Sequence, residues 1–169
     1  MIYLIILILI FLVSKSTSSI FGTPVDSKVI SKILVNYDHL ISLFSTTLGV
    51  PKRNIYAIIA VESGGDPDLP TGLAGEVGLM QITKPALDDI NRLLGTPFTM
   101  KDLKAPYANI LIGTGYWKRC YNYYSGQPNQ EDLAFRAYNA GFTGVERGKS
   151  NNYLNKIKSW LKLIVEMGI

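Results

Sequence analysis

The sequence predicts a mainly α-helical single domain, preceded by a short apolar segment at the N-terminus. Apolar residues recur at three- and four-residue steps through most of the chain, as on one face of a helix. No stretch alternates apolar and polar residues in the way of a half-buried strand. A length of 169 residues supports one core and is short for two ordinary domains. The composition, 47% hydrophobic and 18% charged, belongs to a folded chain and not a disordered one.

Taken in order, Ile2 to Val13 read IYLIILILIFLV without a charge. The run is shorter than the roughly 20 apolar residues a helix needs to cross the hydrocarbon core. It suits the apolar region of a secretory signal, with the small polar tract Ser14 to Ser19 behind it for cleavage. Residues 1–19 are therefore expected to be a signal peptide or a short membrane anchor, and 20–169 the folded domain. Either reading sends the domain out of the cytoplasm, and a retained segment makes the membrane a partner.

Ile30, Ile33, Leu34, Tyr37, Ile41, Phe44 and Leu48 then form one helical face, ended by Gly49. His39 lies off that face and is expected at the surface. Pro51 suits the first turn of a second helix running to Ser63, with Ile55, Ile58, Ile59 and Glu62 on one stripe. Gly64-Gly65 stop it, and Asp66 and Asp68 fall in a Gly/Pro loop, where capping and solvation are ordinary roles. Thr71 to Gly78 read as a turn or small hairpin. Further helices are expected over Lys84–Leu94, Pro106–Tyr124, from after Asn129 to about Asn139, and Asn151–Met167. Glycine turns at Gly141 and Gly144 separate the last two. The tyrosines between Tyr116 and Tyr124 are expected in core and groove wall.

The formal net charge of +4 is mild, and no stretch gathers five or six basic residues, so no nucleic-acid surface is expected. Cys120 is the only cysteine and His39 the only histidine. That excludes an internal disulfide and argues against both a Cys/His nucleophile and a zinc site. No metal or other cofactor is expected.

Glu62 is the informative side chain. It lies on the apolar stripe of its own helix, where a charge is rarely placed without a partner or a task. It also sits in the last turn, where the negative end of the helix dipole opposes a second negative charge. Both effects favour the protonated carboxyl, the form a general acid needs for glycosidic cleavage. Position alone leaves open, and favours, a salt bridge or a solvent-pointing glutamate at a frayed helix end.

Three blocks narrow that choice. Glu62-Ser63-Gly64-Gly65-Asp66-Pro67, then Gly78-Leu79-Met80-Gln81-Ile82, then Ala137-Tyr138-Asn139-Ala140-Gly141 resemble, in order, the signature blocks of the soluble lytic transglycosylases. Asn109-Ile110 with Gly113 and Tyr116 resembles the intervening helix of that family, and Tyr153-Leu154 with Ile157 its closing tyrosine motif. The likeness spans Pro51 to Ile157. Lys149-Ser150 stands where such families often carry Glu-Thr, and the stretch from Pro67 to Gly78 departs from the pattern, with Glu76 inside it.

The resemblance implies a lysozyme-like fold with a substrate groove for β-1,4-linked N-acetylmuramic acid and N-acetylglucosamine. It implies a single catalytic acid, Glu62, that protonates the glycosidic oxygen and then deprotonates the muramyl C6 hydroxyl, which closes a 1,6-anhydro ring. By the same likeness Tyr138 would bond near Glu62. Asn139 and Gln81 would bind sugar amides and hydroxyls, Ser63 would assist the sugar or cap its helix, Met80 would line the groove or the core, and Tyr153 would close the far side. Glu76 is a second-acid candidate on the two-carboxylate template, against plain loop hydrogen bonding. The implied partner is the peptidoglycan glycan strand, in wall turnover, with secretion-machine components, or with virion components in phage entry or release. A hydrolytic muramidase of goose type and a non-catalytic glycan-binding envelope or virion protein are the competing readings.

Overall fold

The computed structural model describes residues 25–169. The expected signal peptide or anchor at 1–19 lies outside them. Among the described residues no helix is long and apolar enough to cross a membrane.

Six α-helices and one 3-10 turn make up the described chain, with no strand among the described residues beyond an isolated bridge. Helix α1 spans Ser27–Leu48. It starts ahead of the apolar stripe because the Asp26 carboxylate accepts the Lys28 amide at 2.9 Å and caps the first turn. Gly49 ends it in the left-handed conformation, φ 63°, with its amide donating to the Ser45 carbonyl. Ile30, Ile33, Tyr37, Ile41 and Phe44 are buried, whereas Leu34 sits at the edge of the stripe and is 37% exposed.

Helix α2, Lys52–Glu62, is buried at every position from Asn54 to Ala60. The isoleucine stripe is thus part of a helix surrounded on all sides, a central element. Pro51 stands just before the first turn, not within it, and makes no side-chain cap bond. Helix α3 spans Lys84–Leu94 with Pro85 in its first turn, and the 3-10 turn Asp102–Lys104 leads into α4, Pro106–Tyr123. Helix α5 covers Gln130–Glu146 and is broken at Gly141, φ 68° and ψ 171°. That break is the expected glycine turn, while Gly144 is helical. Helix α6 runs Asn151–Glu166.

Helix α2 packs on α1 and α6, and α4 packs on α1, α3 and α5. Trp117 of α4 meets Phe135 of α5 at 5.5 Å between centroids and stacks on Tyr121 of its own helix at 5.2 Å. Each such pair adds about 1 kcal/mol beyond its buried area. Between α2 and α3 the chain forms loops closed by the Val77–Ile82 bridge, with amide–carbonyl distances of 3.1 and 3.0 Å. The turn or small hairpin expected over Thr71 to Gly78 is thus followed by a bridged turn that begins at its end.

Candidate active site

Glu62 is the last residue of α2, and Ser63 ends that helix with its amide on the Ile59 carbonyl at 3.0 Å. The Ser63 hydroxyl donates to the Leu79 carbonyl at 2.8 Å and accepts the Gly65 amide at 3.2 Å. Its role is to tie the helix end to the turn at residues 78–81. Asp66 accepts the Asp68 amide at 3.0 Å in the following loop, an ordinary turn bond.

Asn109 of α4, 1% exposed, clamps the same turn from below. Its Oδ1 accepts the Met80 amide at 2.8 Å, and its Nδ2 donates to the carbonyls of Val77 at 2.8 Å and Leu103 at 2.9 Å. Gly78 is required by this approach: its φ is +77° and a Cβ there would lie 2.2 Å from Asn109 Nδ2. Met80 is fully buried, with its sulfur over Gly113, where a Cβ would lie 2.5 Å from it. The groove-wall placement of Met80 is therefore corrected. Its side chain is core beneath the floor, and only its backbone serves the site.

Above that floor lies a cleft of about 280 Å³, lined by Glu62, Glu76, Gln81, Thr83, Tyr138 and Asn139 among others. Asn139 also borders a more open depression of about 500 Å³ that includes Lys149, Asn152 and Tyr153. The two have Asn139 in common. Glu62 keeps some exposed surface yet has protein packed around its carboxyl, as a group at the floor of a cleft must. Burial pushes its pKa up to about 7; the nearby Tyr153 hydroxyl opposes the shift, the negative charge of Glu76 adds to it, and Lys156 opposes it.

Tyr138 lies in the cleft wall, but its hydroxyl donates to the Met80 carbonyl at 2.8 Å. The hydroxyl that acts on the Glu62 carboxyl is that of Tyr153. The Tyr153 hydroxyl is close enough to Glu62 to favour its ionised form, although it is buried without a fully formed hydrogen bond of its own. Burial, and then the charge of Glu62, push both phenols well above the usual tyrosine range. Asn139 is exposed and accepts the Ser150 hydroxyl at 2.7 Å. Gln81 sits at the cleft in a left-handed backbone conformation, φ 46°, with its Nε2 on the Gly78 carbonyl at 2.8 Å.

Tyr116 lines the cleft beside Tyr138, their centroids 5.4 Å apart, so the tyrosine-rich helix does supply wall as well as core. Cys120 is buried and its thiol is pushed up to about 12 by desolvation, the opposite of an activated nucleophile. Among the described residues no cluster of three His, Cys, Asp or Glu side chains is arranged to hold a metal ion. The sequence reading missed Asn109 as the clamp and Lys156 as a charge acting on Glu62. Lys156 was findable, since it follows Tyr153 by one helical turn.

Comparison with known proteins adds three findings. The family model described as Transglycosylase SLT domain matches residues 40–161. A segment of 71 residues is 45% identical to the endo-type membrane-bound lytic murein transglycosylase A of Cronobacter sakazakii, over 40% of this chain and 34% of that protein. The protein of the same name from Citrobacter koseri is 44% identical over 72 residues, again 40% of this chain and 34% of the relative. Among solved structures, an inactive mutant of lytic transglycosylase Slt from Pseudomonas aeruginosa superposes with a TM-score of 0.67 at 21% identity, over 75% of this chain and 23% of that one. The 70 kDa soluble lytic transglycosylase of Escherichia coli gives 0.65 at 22% identity, over 74% and 23%. The chain thus spans about a third of the curated relatives and a quarter of the solved ones, and the structural likeness establishes the fold.

Proposed function

This chain belongs to the transglycosylase SLT domain family, within the lysozyme-like superfamily, and from that membership we propose that it cleaves the β-1,4 bond between N-acetylmuramic acid and N-acetylglucosamine in peptidoglycan. The observation that carries the reading is Glu62, an acid at the cleft floor whose pKa is pushed by burial up to about 7.

Near neutrality such a carboxyl carries a proton for part of the time. It gives that proton to the glycosidic oxygen as the C1–O4 bond breaks, and the electron pair leaves with O4. The resulting carboxylate then takes the proton of the muramyl C6 hydroxyl, whose oxygen bonds to C1 and closes the 1,6-anhydro ring. No water is consumed. A pKa close to the working pH suits a group that must lose and regain one proton in each turnover. Gln81 and Asn139 present amides, which offer both donors and acceptors, to the sugar substituents along the groove. Tyr153 steadies the ionised form of Glu62 between the two steps. Ser63, Met80 and Tyr138 hold the floor and wall in place.

The work belongs outside the cytoplasm, with residues 1–19 as the export signal or anchor. Local opening of the wall serves turnover, a secretion machine, or phage entry and release. Digestion of purified peptidoglycan followed by mass spectrometry of the fragments tests the reading. The wild-type protein is expected to release anhydro-muropeptides, and Glu62→Gln to release none while keeping its helical circular dichroism. A wild-type protein that binds the wall and releases no fragment would instead be a glycan-binding protein, and the proposal would fall.

A further inference from the structure

Within the proposed cleft, Glu76 is a second carboxylate that the single-acid scheme leaves without work. Its loop is built around it. The Gly72 amide donates to the Glu76 carbonyl at 3.1 Å, the Gly75 amide to the Gly72 carbonyl at 3.0 Å, and the Ala74 amide to Glu76 Oε2 at 2.8 Å. Gly72 has no left-handed backbone to explain it. A Cβ there would lie 2.5 Å from Oε2 and 2.9 Å from Oε1 of Glu76. The missing side chain makes room for this carboxylate. The group so placed is half-buried and lines the same cleft as Glu62.

Simple loop hydrogen bonding explains the Ala74 contact but not the position on the cleft. Glu62 and Glu76 share no hydrogen bond among the described residues, and the cleft volume of about 280 Å³ is several times the roughly 30 Å³ of one water in the liquid. Two carboxylates on one sugar cleft, one carrying a proton and one charged, are the pair that glycoside hydrolysis uses. We propose that Glu76 is a second catalytic carboxylate that activates water, so that this chain hydrolyses a share of the bonds it cleaves.

The inference rests on the glycan-cleaving reading above and adds a second outcome to it. Glu62 donates its proton to O4 as the C1–O4 bond breaks. A water oxygen bonds to C1 in place of the C6 oxygen, and the proton of that water passes to the Glu76 carboxylate and then to solvent, from which Glu62 regains the proton it gave. One water is consumed, and the muramyl end is a reducing sugar. The C6 hydroxyl and the water compete for the same carbon.

The test counts the two kinds of end. Peptidoglycan is first treated with borohydride, so that every reducible end found later comes from a new cut. After digestion, reducing and anhydro muramyl ends are separated by mass. The wild-type digest is expected to hold both. In Glu76→Gln the ratio of reducing to anhydro ends should fall about a hundredfold, the usual scale for loss of a general base, and Glu76→Asp should restore part of it. Gly72→Ala keeps the charge but displaces the carboxylate, and it should lower the same ratio. Circular dichroism verifies that each variant is folded. Only anhydro ends from the wild type, or a ratio unmoved by Glu76→Gln, overturns this inference and leaves the transglycosylase reading standing. New ends of neither kind overturn both.

Discussion

The Tyr138 hydroxyl donates to the Met80 carbonyl at 2.8 Å, joining the cleft wall on α5 to the turn that forms its floor. Both residues are buried. Tyr138→Phe leaves that carbonyl without its partner in a site with little access to solvent, at a cost of about 1–3 kcal/mol. Thermal unfolding at fixed pH should show a midpoint several degrees lower. Tyr138 is not among the groups that shift Glu62, so the alkaline limb of the pH–rate profile should stay where it is. A variant with unaltered stability would mean that the bond does not hold the wall.

Folding lifts the Glu62 carboxyl from its ordinary 4.5 to about 7. The native state therefore favours the protonated form. Its contribution to stability is complete below about pH 4.5, is lost as pH rises toward 7, and does not change further above that. Glu62→Gln should match the wild type at pH 4 and exceed it at pH 8 by about 2 kcal/mol, a figure reduced from the full shift because the group is partly exposed. Denaturant unfolding at the two pH values measures this. In the wild type, activity should decline above about pH 7 as the acid loses its proton.

Glu76 and Lys156 pull that limb in opposite directions. Glu76→Gln removes a charge that raises the Glu62 pKa, and Lys156→Gln removes one that lowers it. The limb of anhydro-product formation should move to lower pH in the first variant and to higher pH in the second. Lys156 is exposed, so its effect should shrink with added salt as the screening length falls below about 8 Å. Shifts of the same sign in both variants would refute the assignment of charges around Glu62.

Gln81 holds φ at 46°, a conformation that costs a non-glycine residue about 1 kcal/mol or more. Gln81→Gly relieves that strain but loses the bond from Nε2 to the Gly78 carbonyl and the amide that faces the cleft. Stability should change by less than about 1 kcal/mol, while KM for glycan fragments rises. Unfolding midpoints and steady-state kinetics on the same preparation separate the two effects.

Much of this architecture is legible in the sequence because helices announce themselves through spacing and punctuation. Gly49 and Gly95 each end a helix in the left-handed form, as glycine just past a helical stripe implies. The stripe that carries Ile55, Ile58, Ile59 and Glu62 put Glu62 in the last turn of α2, where it stands, although it did not reveal that α2 is enclosed on every side. What stayed hidden depends on contacts between distant segments. Asn109 reads as one polar residue in a helix, and only the fold brings it under a turn some thirty positions away. Met80 could not be divided between wall and core by chemistry, since an unbranched apolar chain suits both; Gly113 across the interface decides for core. Likewise, a motif can bring Tyr138 and Tyr153 near Glu62 without saying which hydroxyl faces the carboxyl.

The Asn109 clamp has a consequence for affinity. One buried amide fixes the turn that bears Gln81 through two hydrogen bonds, to Met80 and Val77, and anchors itself to Leu103 through a third, all made within the protein. The receptacle is in shape before any sugar arrives. Docking a glycan then costs the freedom of the sugar and spares that of the turn, so less of the contact energy is spent on ordering the host and more is left to hold the guest.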